Sequence, residues 1–152
     1  MSKQIHGGMD ILRKTFVVLL VLDFVGLILT GITLAPTFRQ LAGYGQIMLV
    51  VVGVIVAVIA GVMVFEILAK IFLIRSTSPM FSWGSGRKGY TAAAKLLLLF
   101  NFCAVIVSVL SAGGEGATLI NQGYLWLRVL ASVVEMVAAV AYLRTVKKLF
   151  QA

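Results

Sequence analysis

Charged residues are scarce in this sequence, and acidic residues are the scarcest. The 152 residues include 5 Asp and Glu and 13 Lys and Arg, so that only 12% are charged. A soluble domain carries about 25% charged residues. With 61% hydrophobic residues and a mean hydropathy of +1.09, a water-soluble globule would leave large apolar patches exposed. The composition therefore excludes an ordinary soluble domain and predicts one domain that is buried mainly in lipid.

Cysteine and histidine are almost absent. The chain has one cysteine, Cys103, and one histidine, His6. A single thiol cannot form a disulfide within the chain, and these two residues cannot build a Cys/His metal site. The sequence also lacks a hydrolase motif, a Walker motif, a haem-ligand pair and a nucleophile–base set. It therefore predicts no cofactor, no metal and no enzymatic activity.

Long apolar runs dominate what remains. Residues 47–65 form a run of nineteen without a charge, which is enough to cross a hydrocarbon core of roughly 30 Å. Four membrane-spanning helices are predicted, at about 15–35, 46–74, 92–112 and 124–143. Pro36 and Gly45 are predicted to end the first helix and start the second, and polar residues 75–91 to form a loop. Four spans with short connections predict an all-α, integral membrane antiparallel four-helix bundle.

Basic residues are unevenly distributed along these spans. Eleven of the thirteen fall near the two termini or the middle loop, which leaves Arg39 and Arg128 for the other side. The positive-inside rule then predicts that both termini and the middle loop are cytoplasmic. Because the basic residues lie at helix ends, they indicate membrane orientation and contact with anionic lipid headgroups rather than nucleic acid.

Each predicted helix carries a polar side chain within its apolar run. Asp23, Glu66 and Glu135 lie eight residues from the cytoplasmic ends of their helices, and Asn101 lies nine residues in. All four are therefore predicted at roughly 12–14 Å from the cytoplasmic boundary. Arg128 lies seven residues before Glu135, on the same helix face. These five residues form the predicted intramembrane polar layer.

This layer has two main interpretations, and the sequence favours the first. It is either a hydrogen-bonded layer that fixes how the helices pack, or a proton or cation site, since an acid at this depth needs a partner or a proton. A third possibility is that the polar faces bind partner subunits. Lys70 follows Glu66 by four residues and is predicted to pair with it near the cytoplasmic end of the second helix.

Small residues recur every four positions on the second helix, at Gly53, Ala57 and Gly61. Such a face lets two helix backbones approach closely in a membrane, where the hydrophobic effect does not push helices together. The favoured interpretation is packing inside the bundle, and the alternative is an interface with another copy or another membrane protein.

The middle loop combines aromatic and basic residues. Trp83 and Tyr90 flank Arg87 and Lys88. Trp and Tyr favour the headgroup level, and Lys and Arg are attracted to anionic lipid. We expect this loop to face lipid headgroups, with docking of a cytosolic protein as the alternative.

The layout of the whole chain, over residues 11–145, resembles the COPI-associated family of small four-span Golgi proteins. The resemblance depends on an acidic residue late in the second helix, followed by a loop in which aromatics precede Gly-Arg and another aromatic: Glu66, Phe81, Trp83, Gly86, Arg87 and Tyr90. It implies a non-enzymatic protein of Golgi or vesicle membranes that is linked to trafficking. The chain departs from the dilysine retrieval signal, because Leu149 and Phe150 occupy the two positions where lysines would stand.

Together these features predict a structural or vesicle-trafficking role in endomembranes. A proton- or cation-handling subunit that uses Asp23, Glu66 and Glu135, or an accessory subunit of a larger membrane complex, are the alternatives. The plasma membrane and the bacterial inner membrane are the alternative locations.

Overall fold

The computed structural model describes residues 2–78, 87–112 and 119–151, and this part of the chain is almost entirely helical. Gly45, Thr77 and Ser78 are the described residues outside helices, and no strand occurs in these ranges. The predicted all-α class is therefore confirmed.

Four long helices account for nearly all of this structure. Helix α1 spans Ser2–Leu41, α2 spans Gln46–Ser76, α3 spans Arg87–Ala112 and α4 spans Leu119–Gln151. A single 3₁₀ turn, Ala42–Tyr44, connects α1 to α2. Each helix packs against the next along the chain, and α4 packs against α1, so that the four form a closed ring.

Several helix ends were predicted wrongly, including both ends of the first helix. It begins at Ser2 instead of residue 15, and it continues through Pro36 to Leu41. A proline removes one backbone donor, and neighbouring helices or local adjustments can compensate for that loss. The turn instead occurs at Gly45, whose φ of 107° lies in the left-handed region that favours glycine.

The third and fourth helices are also longer than predicted. Helix α3 begins at Arg87 instead of residue 92, and α4 extends from Leu119 to Gln151 instead of 124–143. The second helix, Gln46–Ser76, begins at the predicted residue and ends two residues after the predicted end at 74. Basic residues at the start of α3 and at the end of α4 are good helix formers, so they lengthen these two ends beyond the apolar runs.

Neighbouring helices run antiparallel, as α2 and α3 illustrate. The rings of Phe65 and Phe100 meet edge to face with centroids 5.3 Å apart, and those of Phe72 and Tyr90 meet at 6.2 Å. Residue numbers therefore rise along α2 as they fall along α3.

The buried apolar core occupies one half of the length of the bundle, at the end that carries the chain termini. We call this the packed half (residues 2–22, 67–76, 87–100 and 136–151), and the rest of the four helices the open half. Tyr142 lies at its centre, with its ring edge-on to Phe16 at 6.2 Å and its hydroxyl 2.5 Å from the Ser76 hydroxyl. The buried hydrophobic side chains of the described residues all lie in this half: Met9, Leu12, Phe16, Leu19, Ile67, Ala69, Leu73, Ala94, Leu97, Ala138, Ala139, Tyr142 and Val146.

Three helices within the described residues are long and apolar enough to cross a membrane: Gln46–Ser76, Arg87–Leu110 and Trp126–Gln151. The prediction of membrane-length helices is confirmed for these three. Helix α1 carries Arg13, Lys14 and Asp23 in and beside its apolar run and is not one of the three. That α1 also crosses stays a prediction.

Candidate functional site

All four helices contribute a side chain to one cluster, and Lys70 of α2 is at its centre. The Lys70 side chain is fully buried. Its ammonium donates a hydrogen bond to Asp23 Oδ2 of α1 and lies 2.8 Å from Glu135 Oε2 of α4. One cation thus bridges carboxylates from two other helices.

Asn101 adds the fourth helix to this cluster. Its Nδ2 donates to Glu135 Oε1 at 2.9 Å and to the Leu97 carbonyl one turn earlier at 2.8 Å. Glu135 therefore accepts from Asn101 on one oxygen and pairs with Lys70 through the other. We refer to Lys70, Asp23, Asn101 and Glu135 as the Lys70 cluster.

The predicted pairing of Lys70 with Glu66 was wrong. Glu66 forms no ion pair within 4.0 Å among the described residues, and Lys70 is bound to the two more distant carboxylates instead. Spacing of four residues places two side chains on one helix face, but it does not decide which neighbour a flexible lysine reaches. The other helices pack around α2 in a way that brings Asp23 and Glu135 to the lysine.

The burial of this cluster explains why its partners matter. Removing charges from water costs several kcal/mol per ion, and attraction compensates for this only when the geometry is good and the remaining hydrogen bonds are made. In the part of the chain that the structure describes, no buried side-chain nitrogen or oxygen lacks a hydrogen-bond partner. The Lys70 cluster is therefore a hydrogen-bonded polar layer at the boundary between the packed half and the open half.

A cavity of about 600 Å³ adjoins the cluster on the side of the open half. It lies between α1 and α4, with contributions from α2 and α3. Asp23, Glu66, Asn101 and Glu135 line it, whereas Lys70 does not. The acidic groups of this region therefore face the cavity while the lysine stays behind them.

Arg128, the fifth member of the predicted layer, lies apart from the cluster. It is exposed and lines the same cavity, about 10 Å along α4 from Glu135 by the helical rise. Within the described residues it forms no ion pair with a carboxylate. The structure thus joins Asp23, Asn101 and Glu135 through Lys70, and leaves Glu66 and Arg128 on the cavity wall.

The small-residue face of α2 has no close neighbour among the described residues at its two glycines. Ala57 and Gly61 are exposed and Gly53 is partly exposed. A Cβ built on Gly53 or Gly61 would meet no atom within 4 Å. The prediction that these glycines pack inside the bundle was therefore wrong. Their use as an interface with another chain stays a prediction.

The predicted lipid-facing loop lies only partly within the described residues. Trp83 is outside them. Arg87 and Lys88 are exposed but belong to the first turn of α3, and the Arg87 guanidinium lies 4.1 Å from the ring centroid of Phe150. Tyr90 is half-buried, with its ring edge-on to Phe72. Arg87 and Tyr90 thus also help to hold α3 against α4 and α2.

Among the described residues, no three His, Cys, Asp or Glu side chains are arranged to hold a metal ion. Cys103 is exposed on α3 as a free thiol. Comparison of the chain with protein-family models, with curated proteins and with solved structures finds no match.

Lys70 is the residue that the sequence interpretation missed. It was counted among the basic residues that flank the middle loop because it lies four residues before the predicted end of the second helix, at residue 74. Charge balance was the available signal: three carboxylates were predicted inside the membrane, and Lys70 is the nearest basic residue to their common depth.

Proposed function

We propose that this chain is a non-enzymatic, multi-pass membrane protein with a structural or vesicle-trafficking role in endomembranes. Its four helices cross the bilayer as an antiparallel four-helix bundle, and both termini are cytoplasmic. The single observation that carries the structural role is the Lys70 cluster, in which every helix contributes one polar group and one ammonium is shared by two carboxylates.

The first helix is included among the crossing helices for two reasons. Asp23 of α1 binds the buried lysine of α2, so α1 reaches the same depth as the other three. Its outer face also exposes apolar side chains, including Val21, Phe24 and Ile28. An exposed apolar stripe of this length is stable beside lipid and would aggregate in water.

The cytoplasmic face and the compartment follow from charge and from the resemblance. Eleven of thirteen basic residues lie at the end that carries the termini, which supports contact with anionic lipid headgroups through Arg87 and Lys88. A Golgi or vesicle membrane rests on the resemblance to the COPI-associated family. Other membrane proteins, or a second copy, are the proposed partners of the exposed α2 face.

Single-cysteine labelling tests the topology. We would introduce Ser2→Cys, Ser85→Cys or Gln151→Cys into a Cys103→Ser background, which removes the exposed native thiol. An impermeant maleimide should label all three variants from the cytoplasmic side only. Labelling of the Ser85→Cys variant from the opposite side would refute the four-span arrangement.

Imaging tests the compartment separately. A fluorescently tagged chain should overlap with Golgi and vesicle markers in eukaryotic cells. Uniform plasma-membrane fluorescence would contradict the endomembrane role while leaving the four-span arrangement intact.

A second candidate function, proton or cation handling, is favoured by one specific observation. Three carboxylates face the cavity beside Lys14 and Arg128. Glu66, which forms no ion pair among the described residues, is the residue that an ion path would use. We expect proteoliposomes of the unmodified chain to show no proton or cation flux. A flux that Glu66→Gln abolishes and Asp10→Asn preserves would replace the structural role with this second function.

A further inference from the structure

The cavity between α1 and α4 is a cleft whose two long walls are apolar. Each wall is a ridge of exposed aliphatic side chains that recur every three or four residues along its helix. The ridges consist of Val18, Leu22, Val25 and Leu29 on α1, and of Leu127, Leu130 and Val134 on α4. Walls of this kind suit an apolar occupant, which in a bilayer is either another helix or a lipid chain.

The dimensions of the cleft favour a lipid chain over another helix. Its volume is about 600 Å³, whereas a transmembrane helix about 10 Å wide and 30 Å long occupies on the order of 2,000 Å³. On α1 the lining extends from Lys14 to Leu29, which is about 22 Å along the helix. One leaflet contributes half of a hydrocarbon core of roughly 30 Å, or about 15 Å. The cleft is therefore long enough for one acyl chain.

The three acids that line the cleft are offset by cations of this chain. Asp23 and Glu135 share the Lys70 ammonium behind the wall. Glu66 lies one helical turn from Lys70 and is attracted electrostatically by both Lys70 and Arg128. The acids in the middle of the cleft therefore do not call for a cationic ligand.

The two cations that line the cleft lie at its opposite ends and differ in their partners. Lys14 lies about 13 Å along α1 from Asp23, toward the termini, and it already pairs with Asp10 at 2.9 Å. Arg128 lies about 10 Å along α4 from Glu135 in the other direction. It forms no ion pair with a carboxylate among the described residues. Arg128 is therefore the cation of the cleft that is open to an anionic group.

Arg128 also lies where lipid phosphates are found. It belongs to the membrane-length stretch Trp126–Gln151. The exposed Trp126 lies two residues before it, and Trp favours the headgroup level of a bilayer. An arginine within a span is costly unless its guanidinium reaches a partner or the interface. A guanidinium binds a phosphate group well, because two parallel N–H groups can donate to it.

We infer that the cleft binds one acyl chain of a phospholipid from the leaflet opposite the chain termini, with the lipid phosphate on the Arg128 guanidinium. The acyl chain lies between the two apolar ridges and extends toward Lys14. A cationic head would meet Arg128 at the opening, and an uncharged head would leave the guanidinium without an anion. This inference goes beyond the proposed function, since it requires α1 and α4 to lie in lipid but requires no particular compartment.

Native mass spectrometry of the full chain in nonionic detergent tests the inference with three matched single-chain probes. Oleoyl lysophosphatidate, monooleoylglycerol and oleylamine carry chains of the same length and differ in having a phosphate, an uncharged or a cationic head. We expect one lysophosphatidate per chain, bound at least about tenfold more tightly than the other two. A hydrogen bond between charged groups contributes that much to affinity.

Two arginine variants test the head of the site. Arg128→Gln should weaken lysophosphatidate binding about tenfold and leave monooleoylglycerol binding unchanged, which also shows that the cleft is intact. Arg39→Gln is the matched control, because Arg39 is exposed near the end of α1 and is not among the residues that line the cleft. It should leave the binding of both probes unchanged.

Three further variants test the position of the chain and the direction in which it lies. Ala131→Phe places a ring in the cleft and should block all three probes. Lys14→Gln should leave lysophosphatidate binding unchanged, because Lys14 lies at the far end of the cleft. Glu66→Gln removes a negative charge that faces the cleft and should not weaken lysophosphatidate binding.

Four results would overturn the inference. Equal binding of monooleoylglycerol and lysophosphatidate would show that the phosphate is not recognised, and tighter binding of oleylamine would show that the acids govern the cleft. Loss of binding with Lys14→Gln instead of Arg128→Gln would place the head at the other end. Several lipids per chain, unaffected by Ala131→Phe, would show partition into detergent rather than a site. Binding in detergent is measured independently of topology and compartment, so failure here and failure of the proposed function are distinguishable.

Discussion

The packed half and the open half of the bundle contain the same kinds of apolar residue, but these residues are buried in the packed half and exposed in the open half. In the packed half, Leu73 and Leu97 are completely buried, whereas in the open half Val54, Val58 and Leu110 are exposed. Composition therefore does not decide burial in this protein. In lipid an exposed apolar side chain is already in an apolar solvent, so helices come together only where shape and polar groups favour contact.

The Lys70 cluster marks the boundary between the halves. On the side of the packed half, Phe16, Ser76 and Tyr142 pack closely. On the side of the open half, the helices leave the cavity between α1 and α4. We conclude that the packed half and the cluster hold the four helices together, and that the open half is available for lipid, ligand or another chain.

The largest effect should come from breaking the cluster at its centre. Lys70→Met leaves the Asp23 and Glu135 carboxylates without their cation. Removing one partner of a buried ion pair costs about 3–5 kcal/mol, so we expect the free energy of unfolding in detergent to fall by that amount. Lys95→Met, which alters an exposed lysine on α3, should change it by less than about 0.5 kcal/mol.

Removing the whole cluster should do less harm than removing its centre. A variant that combines Lys70→Met with Asp23→Asn and Glu135→Gln leaves no unpaired charge. We expect it to recover most of the stability lost in Lys70→Met alone. If the combined variant is instead less stable than the single one, the cluster stabilises the bundle by attraction rather than by charge balance.

The next prediction compares two leucines of the same helix, one in each half. Leu97 is 0% exposed in the packed half, and Leu110 is 74% exposed in the open half of the same α3. Leu97→Ala should lower the free energy of unfolding by about 2–5 kcal/mol because it leaves a cavity. Leu110→Ala should lower it by less than about 0.5 kcal/mol. Equal losses would mean that another chain covers the open half in the purified protein.

A smaller effect tests the hydrogen bond inside the packed half. The hydroxyls of Ser76 and Tyr142 lie 2.5 Å apart. A double-mutant cycle of Ser76→Ala and Tyr142→Phe should give a coupling near 0.6 kcal/mol and no more than about 1.7 kcal/mol, as is typical for bonds between membrane helices. A coupling of zero would mean that the hydroxyls do not bond in the folded protein.

The smallest effect concerns an exposed pair near the start of α1. The Lys14 ammonium lies 2.9 Å from Asp10 Oδ2, and hydrogen bonding and attraction to Lys14 lower the pKa of the Asp10 carboxyl. Because folding lowers this pKa, the stabilisation is present above the unfolded value near pH 3.9 and is lost as the pH falls through the folded value. We expect Lys14→Gln to raise the Asp10 pKa toward its ordinary value in an NMR titration. An unchanged pKa would show that the pair does not form in solution.

Much of the fold was predictable because membrane helices are specified locally. The apolar run at 47–65 and the glycine at position 45 determine where α2 lies, whatever the other helices do. Helix ends were less predictable. The basic residues before Asp23 and after Leu143 extend α1 and α4 beyond their apolar runs, and hydropathy alone does not detect such extensions.

The sequence by itself determined that the chain is helical and lipid-compatible, and that Asp23, Asn101 and Glu135 interrupt otherwise apolar helices. Only the tertiary structure decided that these residues meet at Lys70, since Asp23 lies 47 residues from it along the chain. The same packing left Glu66 on a cavity wall and gave Gly53 and Gly61 no close neighbour in the part of the chain that the structure describes. The physical reason is that α2 is apolar on nearly every side. A helix without a polar face carries no local signal of its rotation, and its contacts with the other helices therefore decide which residues turn inward.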